Sequence, residues 1–226
     1  MGHIRYIDQN LVDVYHPSIS VDRIDETDLT EEYLDQFFAD KKPSPPRFIG
    51  IAASYTPKGK IAVLAVSFLE KIFIVEFRGA GSEAAIGARS LLQEKILCSE
   101  DNDIVAFDIA PIALSLFSDK NLRMTTGIDF QSIGGDATAL RRDPVLAIKF
   151  VVAGTKAESS IYHENIRTAF RDPIWDASNR SCEIWLALRA WAAGFFPTLD
   201  GSLEEKFRQI ARVNTALRSE LVSLGV

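Results

Sequence analysis

Three short apolar segments lie close together between residues 48 and 77, and they restrict the fold of this chain more than any other feature. The segments Phe48–Ser54, Ile61–Phe68 and Lys71–Phe77 are rich in β-branched and aromatic residues, which is typical of strands. The connections between them are only a few residues long. Because such short connections join antiparallel neighbours, the pattern predicts a three-stranded antiparallel meander.

Helical and strand-like segments alternate in the rest of the chain. Ala84–Leu97 has apolar residues at helical spacing, Ile104–Ile109 is a short apolar strand, and Pro111 fits the first turn of a helix that runs to Phe117. A meander followed by helix, strand and helix predicts an α/β domain with one mixed central sheet. The other predicted elements are a short strand at Arg123–Thr126 and helices at Pro144–Val152, Cys182–Phe196 and Leu203–Leu221.

An acidic segment precedes the meander. Thr30 can cap a helix there, because its hydroxyl can accept a backbone N–H bond, and the apolar side chains of residues 33–38 give that helix one apolar face. Residues 41–46 read KKPSPP and predict a stiff linker. We therefore divide the chain into an N-terminal arm with linker (1–46), an α/β domain (47–200) and a C-terminal helix (201–226). The amphipathic helix favours a packed arm, and a partner-binding segment is the alternative.

Composition excludes several classes of protein. The 226 residues are 47% hydrophobic and carry a net charge of −6, which favours protein partners over the phosphate backbone of a nucleic acid. Cys98 and Cys182 have no metal-ligand or disulfide-framework spacing, so we expect no zinc site and a reducing, intracellular location, cytoplasmic or nuclear. No apolar run approaches the roughly 20 residues needed to span a bilayer, so no membrane contact is expected.

The first predicted strand resembles the opening motif of the RNase D-like (DEDD) 3′–5′ exonucleases. That motif reads roughly hydrophobic-Gly-Phe-Asp-x-Glu-Trp-x-Pro, and residues 49–57 read IGIAASYTP. The glycine, its apolar neighbour, the aromatic residue and the proline all match. The two acids do not match, because Ala52 stands where the family has Asp and Ser54 where it has Glu.

Later segments resemble the same family in the same order. The second motif, roughly Val-Gly-x-x-Ile-x-x-Asp-x-x-x-Leu, matches residues 105–116, where the metal-binding Asp maps to Ile112 and Asp108 lies one helical turn earlier. Residues 128–131, IDFQ, resemble the Phe-Asp-Thr/Leu-Gln segment of the family. The third motif, Tyr-Ala-Ala-x-Asp-Ala, is placed with Ala177 at the tyrosine and Ser181 at the aspartate. The resemblance covers about residues 47–196.

The resemblance implies an RNase H-like exonuclease fold: a mixed sheet, made of an antiparallel meander and parallel strands, flanked by helices. It also implies a loss of chemistry, because these enzymes hold two divalent metal ions with carboxylates. Ala52, Ser54, Ile112 and Ser181 would be degenerate catalytic positions, with no metal and no cofactor bound. We expect a pseudo-exonuclease that acts as a protein-interaction scaffold or adaptor in an RNA or small-RNA processing complex. Such a scaffold could also form a homodimer.

Two other functions stay open at this point. One is a nucleic-acid-binding module that keeps the groove without cleavage, which a basic, aromatic-lined cleft would favour. The other is an active nuclease with relocated acids, which would require clustering of the four carboxylates nearest the motifs: Asp108, Asp129, Asp176 and Glu183. If the enzyme is inactive, we expect Ala52 and Ile112 to face each other in a mostly filled pocket, because apolar surfaces favour closure.

Overall fold

A seven-stranded mixed sheet forms the centre of the protein, in the order β1-β2-β5-β4-β3-β6-β7. The structure is a computed structural model that describes residues 5–12, 19–39, 47–78, 81–134, 143–153, 161–171 and 173–215. The predicted linker 41–46 lies outside these residues, as does the end of the predicted C-terminal helix. The strands are β1 Arg5–Ile7, β2 Ile19–Asp25, β3 Arg47–Tyr55, β4 Ile61–Phe68, β5 Lys71–Glu76, β6 Asn102–Ala106 and β7 Gly127–Asp129.

The predicted fold class is confirmed. Strands β3, β4 and β5 form the antiparallel meander, and β6 and β7 extend the sheet in parallel from the other side of β3. Side chains of successive residues along β3 and β4 enter two different buried clusters, one on each face of the sheet. The sheet is therefore covered by apolar contacts on both faces, which explains why its central strands contain almost no polar residues.

The N-terminal segment contributes strands that the sequence did not reveal. Strand β2 pairs in parallel with β5, and the short β1 pairs antiparallel with β2 at the edge of the sheet. The predicted acidic helix is present as α1 (Glu31–Phe38), and Thr30 Oγ1 accepts a hydrogen bond from Tyr33 N–H at 3.2 Å. Tyr33 and Phe37 make edge-on contacts with Phe73 of β5, so α1 packs on the sheet.

Seven α-helices are present among the described residues. They are α1, α2 Glu83–Leu92, α3 Ile109–Lys120, α4 Pro144–Val152, α5 His163–Arg171, α6 Arg180–Phe195 and α7 Gly201–Gln209. Helix α2 continues into a π-helical turn at Gln93–Leu97, so together they cover the predicted helix 84–97. Helix α4 has the predicted bounds, α6 begins two residues before its predicted start, and α5 was not predicted.

Three predicted elements need correction. The strand predicted at Ile104–Ile109 lies earlier, at Asn102–Ala106, and Ile109 begins α3. The last helix ends at Gln209 rather than continuing through residues 210–215, because Val213 pairs with Gly127 through two backbone hydrogen bonds that a helix would not allow. The strand predicted at Arg123–Thr126 lies slightly later, at Gly127–Asp129. Pairing with β6 begins only at Gly127, since the backbone of Thr125 donates instead to the carbonyl of Leu97.

Helix α6 lies unusually close to the sheet because two glycines meet at the contact. A Cβ atom added to Gly50 of β3 would lie 1.9 Å from the carbonyl oxygen of Ala190 and 2.4 Å from the nitrogen of Gly194. A Cβ on Gly194 would lie 2.7 Å from the nitrogen of Gly50. The absence of both side chains allows backbone-to-backbone contact, which sets how α6 presents its other residues to β3.

Over the part of the chain that the structure describes, no helix is long and apolar enough to cross a bilayer.

Candidate functional site

A cavity of about 400 Å³ opens where the end of β3, the start of α3 and the middle of α6 meet. Such a volume lies within the usual range of ligand pockets. Most of the wall is apolar, and the ionisable groups come from one tyrosine, one aspartate and one arginine. The lining residues are Ile51, Ala52, Ala53, Tyr55, Phe107, Asp108, Pro111, Ile112, Phe170, Pro173 and Arg189.

Arg189 of α6 reaches across to β3 at this cavity. Its Nη2 donates a hydrogen bond of 3.0 Å to Ser54 Oγ and one of 3.3 Å to the carbonyl oxygen of Ala53. The close approach of α6 to β3 at Gly50 and Gly194 brings this guanidinium within reach of the strand. Arg189 therefore places a positive charge beside the same strand positions that the exonuclease resemblance singles out.

Asp108 stands at the turn between β6 and α3 in a left-handed conformation, with φ 55° and ψ 48°. A non-glycine residue rarely adopts this conformation, although Asp and Asn tolerate it best. Its side chain is exposed and makes no capping hydrogen bond to α3. Desolvation by the surrounding protein raises the pKa of the Asp108 carboxyl above its ordinary value, and the charge of Arg189 offsets part of that rise.

Tyr55 ends β3 and is held by a chain segment that follows α5. Its backbone N–H donates to the carbonyl of Pro173 at 2.7 Å, and its carbonyl accepts from Trp175 N–H at 2.8 Å. Burial raises the pKa of the Tyr55 hydroxyl, while a hydrogen bond with Ser115 acts in the opposite direction. These bonds fix one wall of the cavity.

Another part of the cavity wall is formed by phenylalanine rings. Phe107 stacks on Phe130 with ring centroids 4.2 Å apart and meets Phe170 of α5 edge-on at 4.6 Å. Both Phe107 and Phe130 are buried, so this wall belongs to the core of the domain and is rigid.

The structure brings three of the four predicted degenerate positions together. Ala52 and Ile112 line the cavity with 5% and 6% of their surface exposed, and Ser54 is bonded to Arg189 beside it. Ser181 lies elsewhere, exposed in the first turn of α6, and it is eight helical positions from Arg189, a rise of about 12 Å.

The expectation of a mostly filled pocket was wrong, because about 400 Å³ stays open between these elements. Ala52 is too small to fill that space. The walls are also anchored independently, by the core stack of Phe107 and by the backbone bonds of Tyr55, so they do not collapse onto each other.

The four acids of the relocated-site alternative are not brought together. Asp108 alone of the four lines the cavity. Asp129 accepts from the backbone N–H of Gln131, and Asp176 accepts from the backbone and hydroxyl of Ser178. Glu183 is buried and pairs with Arg5 at 3.3 Å and Arg23 at 3.9 Å.

The cavity therefore offers a divalent metal ion a poor set of ligands. Such ions prefer several carboxylate oxygens, whereas this site has one aspartate, a serine hydroxyl and an arginine. Within the described ranges, no group of three or more His, Cys, Asp or Glu side chains could hold a metal ion. The residues present do not fit the metal pair that the fold family implies.

Comparison with solved structures identifies the fold. The chain superposes on Escherichia coli RNase D, described as an exoribonuclease involved in structured RNA processing, with TM-score 0.51, 12% identity, and coverage of 79% of this chain and 44% of that one. It superposes on the Trypanosoma brucei RNase D:GMP complex with TM-score 0.52, 14% identity, and coverage of 80% and 58%. The chain thus has the RNase D-like 3′–5′ exonuclease fold and spans about half the length of these two proteins.

Comparison with sequence families and with curated proteins finds no match.

Sequence reasoning missed Arg189, although the signal was present. Residues 185–190 read WLALRA, and the third exonuclease motif reads Tyr-Ala-Ala-x-Asp-Ala. When the two segments are aligned, Arg189 takes the position of the aspartate. The aromatic residue, the alanine two positions later and the alanine at the end also match. The placement of the motif on Ser181 misses this register, because an arginine has the opposite charge to the aspartate that the motif requires.

Proposed function

We propose that this chain is an exonuclease-like domain that does not hydrolyse nucleic acids and serves as a protein-interaction scaffold in an RNA or small-RNA processing complex. The observation that carries the proposal is the hydrogen bond between Arg189 and Ser54, because it puts a guanidinium where the resemblance expects two carboxylates. A fixed positive charge at that position repels a divalent cation.

The register of three motifs supports the same proposal. Ala52 and Ser54 replace the two acids of the first motif, Ile112 replaces that of the second, and Arg189 fits the acid of the third. These residues come from three separate elements, yet they surround one cavity or touch its edge. The RNA-related part of the proposal rests on analogy with the RNase D structures that share the fold.

The absence of hydrolysis is the first testable consequence. We expect no shortening of labelled single-stranded RNA or DNA in Mg²⁺ or Mn²⁺, measured on denaturing gels, because the cavity lacks the oxygen ligands of two metal ions. Escherichia coli RNase D provides the positive control. Metal-dependent 3′ trimming that persists through repurification and disappears in an Asp108→Asn variant would contradict the proposal, since Asp108 is the acid that lines the cavity.

Exposed apolar side chains support the scaffold part of the proposal. Leu114 and Phe117 of α3 are 64% and 38% exposed, and a spacing of three residues places them on one face of the helix. Pro111, one turn earlier, lines the mouth of the cavity. Single exposed apolar residues are common on monomers, whereas contiguous apolar patches mark interaction surfaces, and Leu114 and Phe117 are candidates for the centre of one.

A double substitution tests this surface. Leu114→Gln with Phe117→Gln should remove specific protein partners recovered from the native cell extract, because hot-spot contacts concentrate on large apolar side chains. The measurement is quantitative mass spectrometry of captured proteins, with Ile86→Gln on α2, 55% exposed, as the matched control. Recovery of the same partners by both variants would rule out this face of α3.

The alternative of a nucleic-acid-binding module is favoured by one observation, the arginine set among aromatic residues in the cavity. The overall charge of −6 acts against it, since most nucleic-acid affinity comes from neutralised phosphates. We therefore expect a generic 20-mer of RNA to bind weakly at about 0.15 M salt, the physiological ionic strength. Sub-micromolar affinity in fluorescence anisotropy would favour the binding module over the scaffold.

A further inference from the structure

We propose that the cavity is a metal-independent binding site for a small organic monocarboxylate with an aromatic or branched apolar body, whose carboxylate binds Arg189. The inference rests on the proposed loss of the metal site and assigns a ligand class to the same cavity.

The position of the ligand's carboxylate is inferred from Arg189. Guanidinium groups pair with carboxylates through directional, charge-assisted hydrogen bonds, which are the stronger ones in proteins. The bonds to Ser54 Oγ and to the Ala53 carbonyl oxygen hold the side chain in place, so little conformational entropy is lost on binding. The apolar wall around the guanidinium reduces solvent screening and strengthens its attraction for an anion.

The apolar part of the ligand is inferred from the side chains that line the cavity. Phe107, Phe170 and Ile112 give the cavity aromatic and aliphatic surfaces, and Tyr55 adds a ring with a polar end. A volume of about 400 Å³ admits a compact ligand of drug-fragment size. Inorganic phosphate or a metal ion would leave these walls in contact with water, so the cavity favours a ligand that has a substantial apolar part.

The single negative charge of the ligand is inferred from the presence of Asp108 at the cavity. Its carboxyl lies at the same cavity as Arg189, and the two groups are close enough to affect each other electrostatically. Attraction to Arg189 and repulsion from Asp108 both grow in proportion to the ligand charge, whereas the cost of desolvating the anion grows roughly with the square of that charge. Because Asp108 partly offsets the one guanidinium that compensates this cost, the cavity favours a monocarboxylate over a phosphate ester of the same body.

Isothermal titration calorimetry with 3-phenylpropanoate, carried out in the presence of EDTA to remove metal ions, tests the site. The neutral 3-phenylpropanol and the dianionic phenyl phosphate are the comparison ligands. We expect the carboxylate to bind the full-length chain better than either comparison ligand, and EDTA to make no difference. Absence of carboxylate binding at millimolar concentration, or binding that requires Mg²⁺, would overturn the proposal.

Two variants with opposite effects secure the assignment. Arg189→Gln should weaken carboxylate binding by about tenfold or more, the usual size for a lost charge-assisted hydrogen bond. Asp108→Asn should strengthen it, and should strengthen phenyl phosphate binding further, while Asn still tolerates the left-handed backbone. Arg167→Gln, on the exposed face of α5, is the control that should change nothing.

If Arg189→Gln does not fold, the Asp108→Asn result decides alone: unchanged or weaker affinity would overturn the proposal. Hydrolysis assays on the same preparations separate this inference from the proposed function. If the protein neither binds the carboxylate nor hydrolyses nucleic acid, only the ligand assignment is overturned. Metal-dependent hydrolysis would instead overturn the proposed function.

Discussion

Replacing Gly50 by alanine should destabilise the protein by more than about 3 kcal/mol, which is near the upper end of single substitutions. The added Cβ would lie 1.9 Å from the carbonyl oxygen of Ala190 and within 3 Å of two backbone atoms of Gly194. All three neighbours are backbone atoms, so no side-chain rotation can relieve the clash. Helix α6 would have to move away from β3, and its packing against the sheet would open.

Urea denaturation followed by circular dichroism measures this effect, and Gly87→Ala is the matched control. A Cβ at Gly87 of α2 meets nothing within 4 Å, and alanine is the better helix former by about 1 kcal/mol. The control should therefore be neutral or more stable than the parent chain. A Gly50→Ala variant within 1 kcal/mol of the parent would show that the two glycines do not set the position of α6.

The sequence predicted the elements whose signal is local. The meander was visible because three β-branched segments lie close together, and α4 was visible because Asp143 and Pro144 precede an apolar segment that begins the helix there. Strand β2 was missed because Asp22, Arg23 and Asp25 interrupt its apolar pattern. Its place in the sheet depends on parallel pairing with β5, a contact between segments about 50 residues apart.

The candidate site was predicted only in part for a related reason. Ala52 and Ile112 were identified because the motifs around them keep a recognisable frame. The third motif could have been aligned with Arg189, but its contact with Ser54 depends on how closely α6 approaches β3, and that distance is set by the meeting of Gly50 with Gly194. Sequence order does not show which two glycines meet. The open volume of the cavity likewise depends on how its walls are anchored and not on the residues that replaced the acids.

Ile112→Asp should destabilise the chain by about 2–4 kcal/mol at neutral pH, the cost of placing a largely unpaired carboxylate at a buried position. Ile112 is 6% exposed and packs in the apolar cluster below α3. Desolvation should raise the folded-state pKa of the new carboxyl above its unfolded value of about 3.9. Arg189 lines the same cavity and would offset only part of this rise, because it is already bonded to Ser54.

The raised pKa fixes the direction of the pH dependence. Relative to the parent chain, the pH-dependent part of the penalty is greatest above the folded-state pKa, shrinks as the pH falls below that value, and vanishes below about 3.9, where both states are protonated. The packing lost with the isoleucine side chain remains at every pH. Thermal melting between pH 4 and 8, with and without Mg²⁺, measures how the stability of Ile112→Asp depends on pH. Leu114→Asp is the control, because residue 114 is 64% exposed on the same helix. That control should show little loss at any pH. Substantial stabilisation of Ile112→Asp by Mg²⁺ would mean that one restored carboxylate completes a metal site, and Arg189 would then not exclude the ion as proposed.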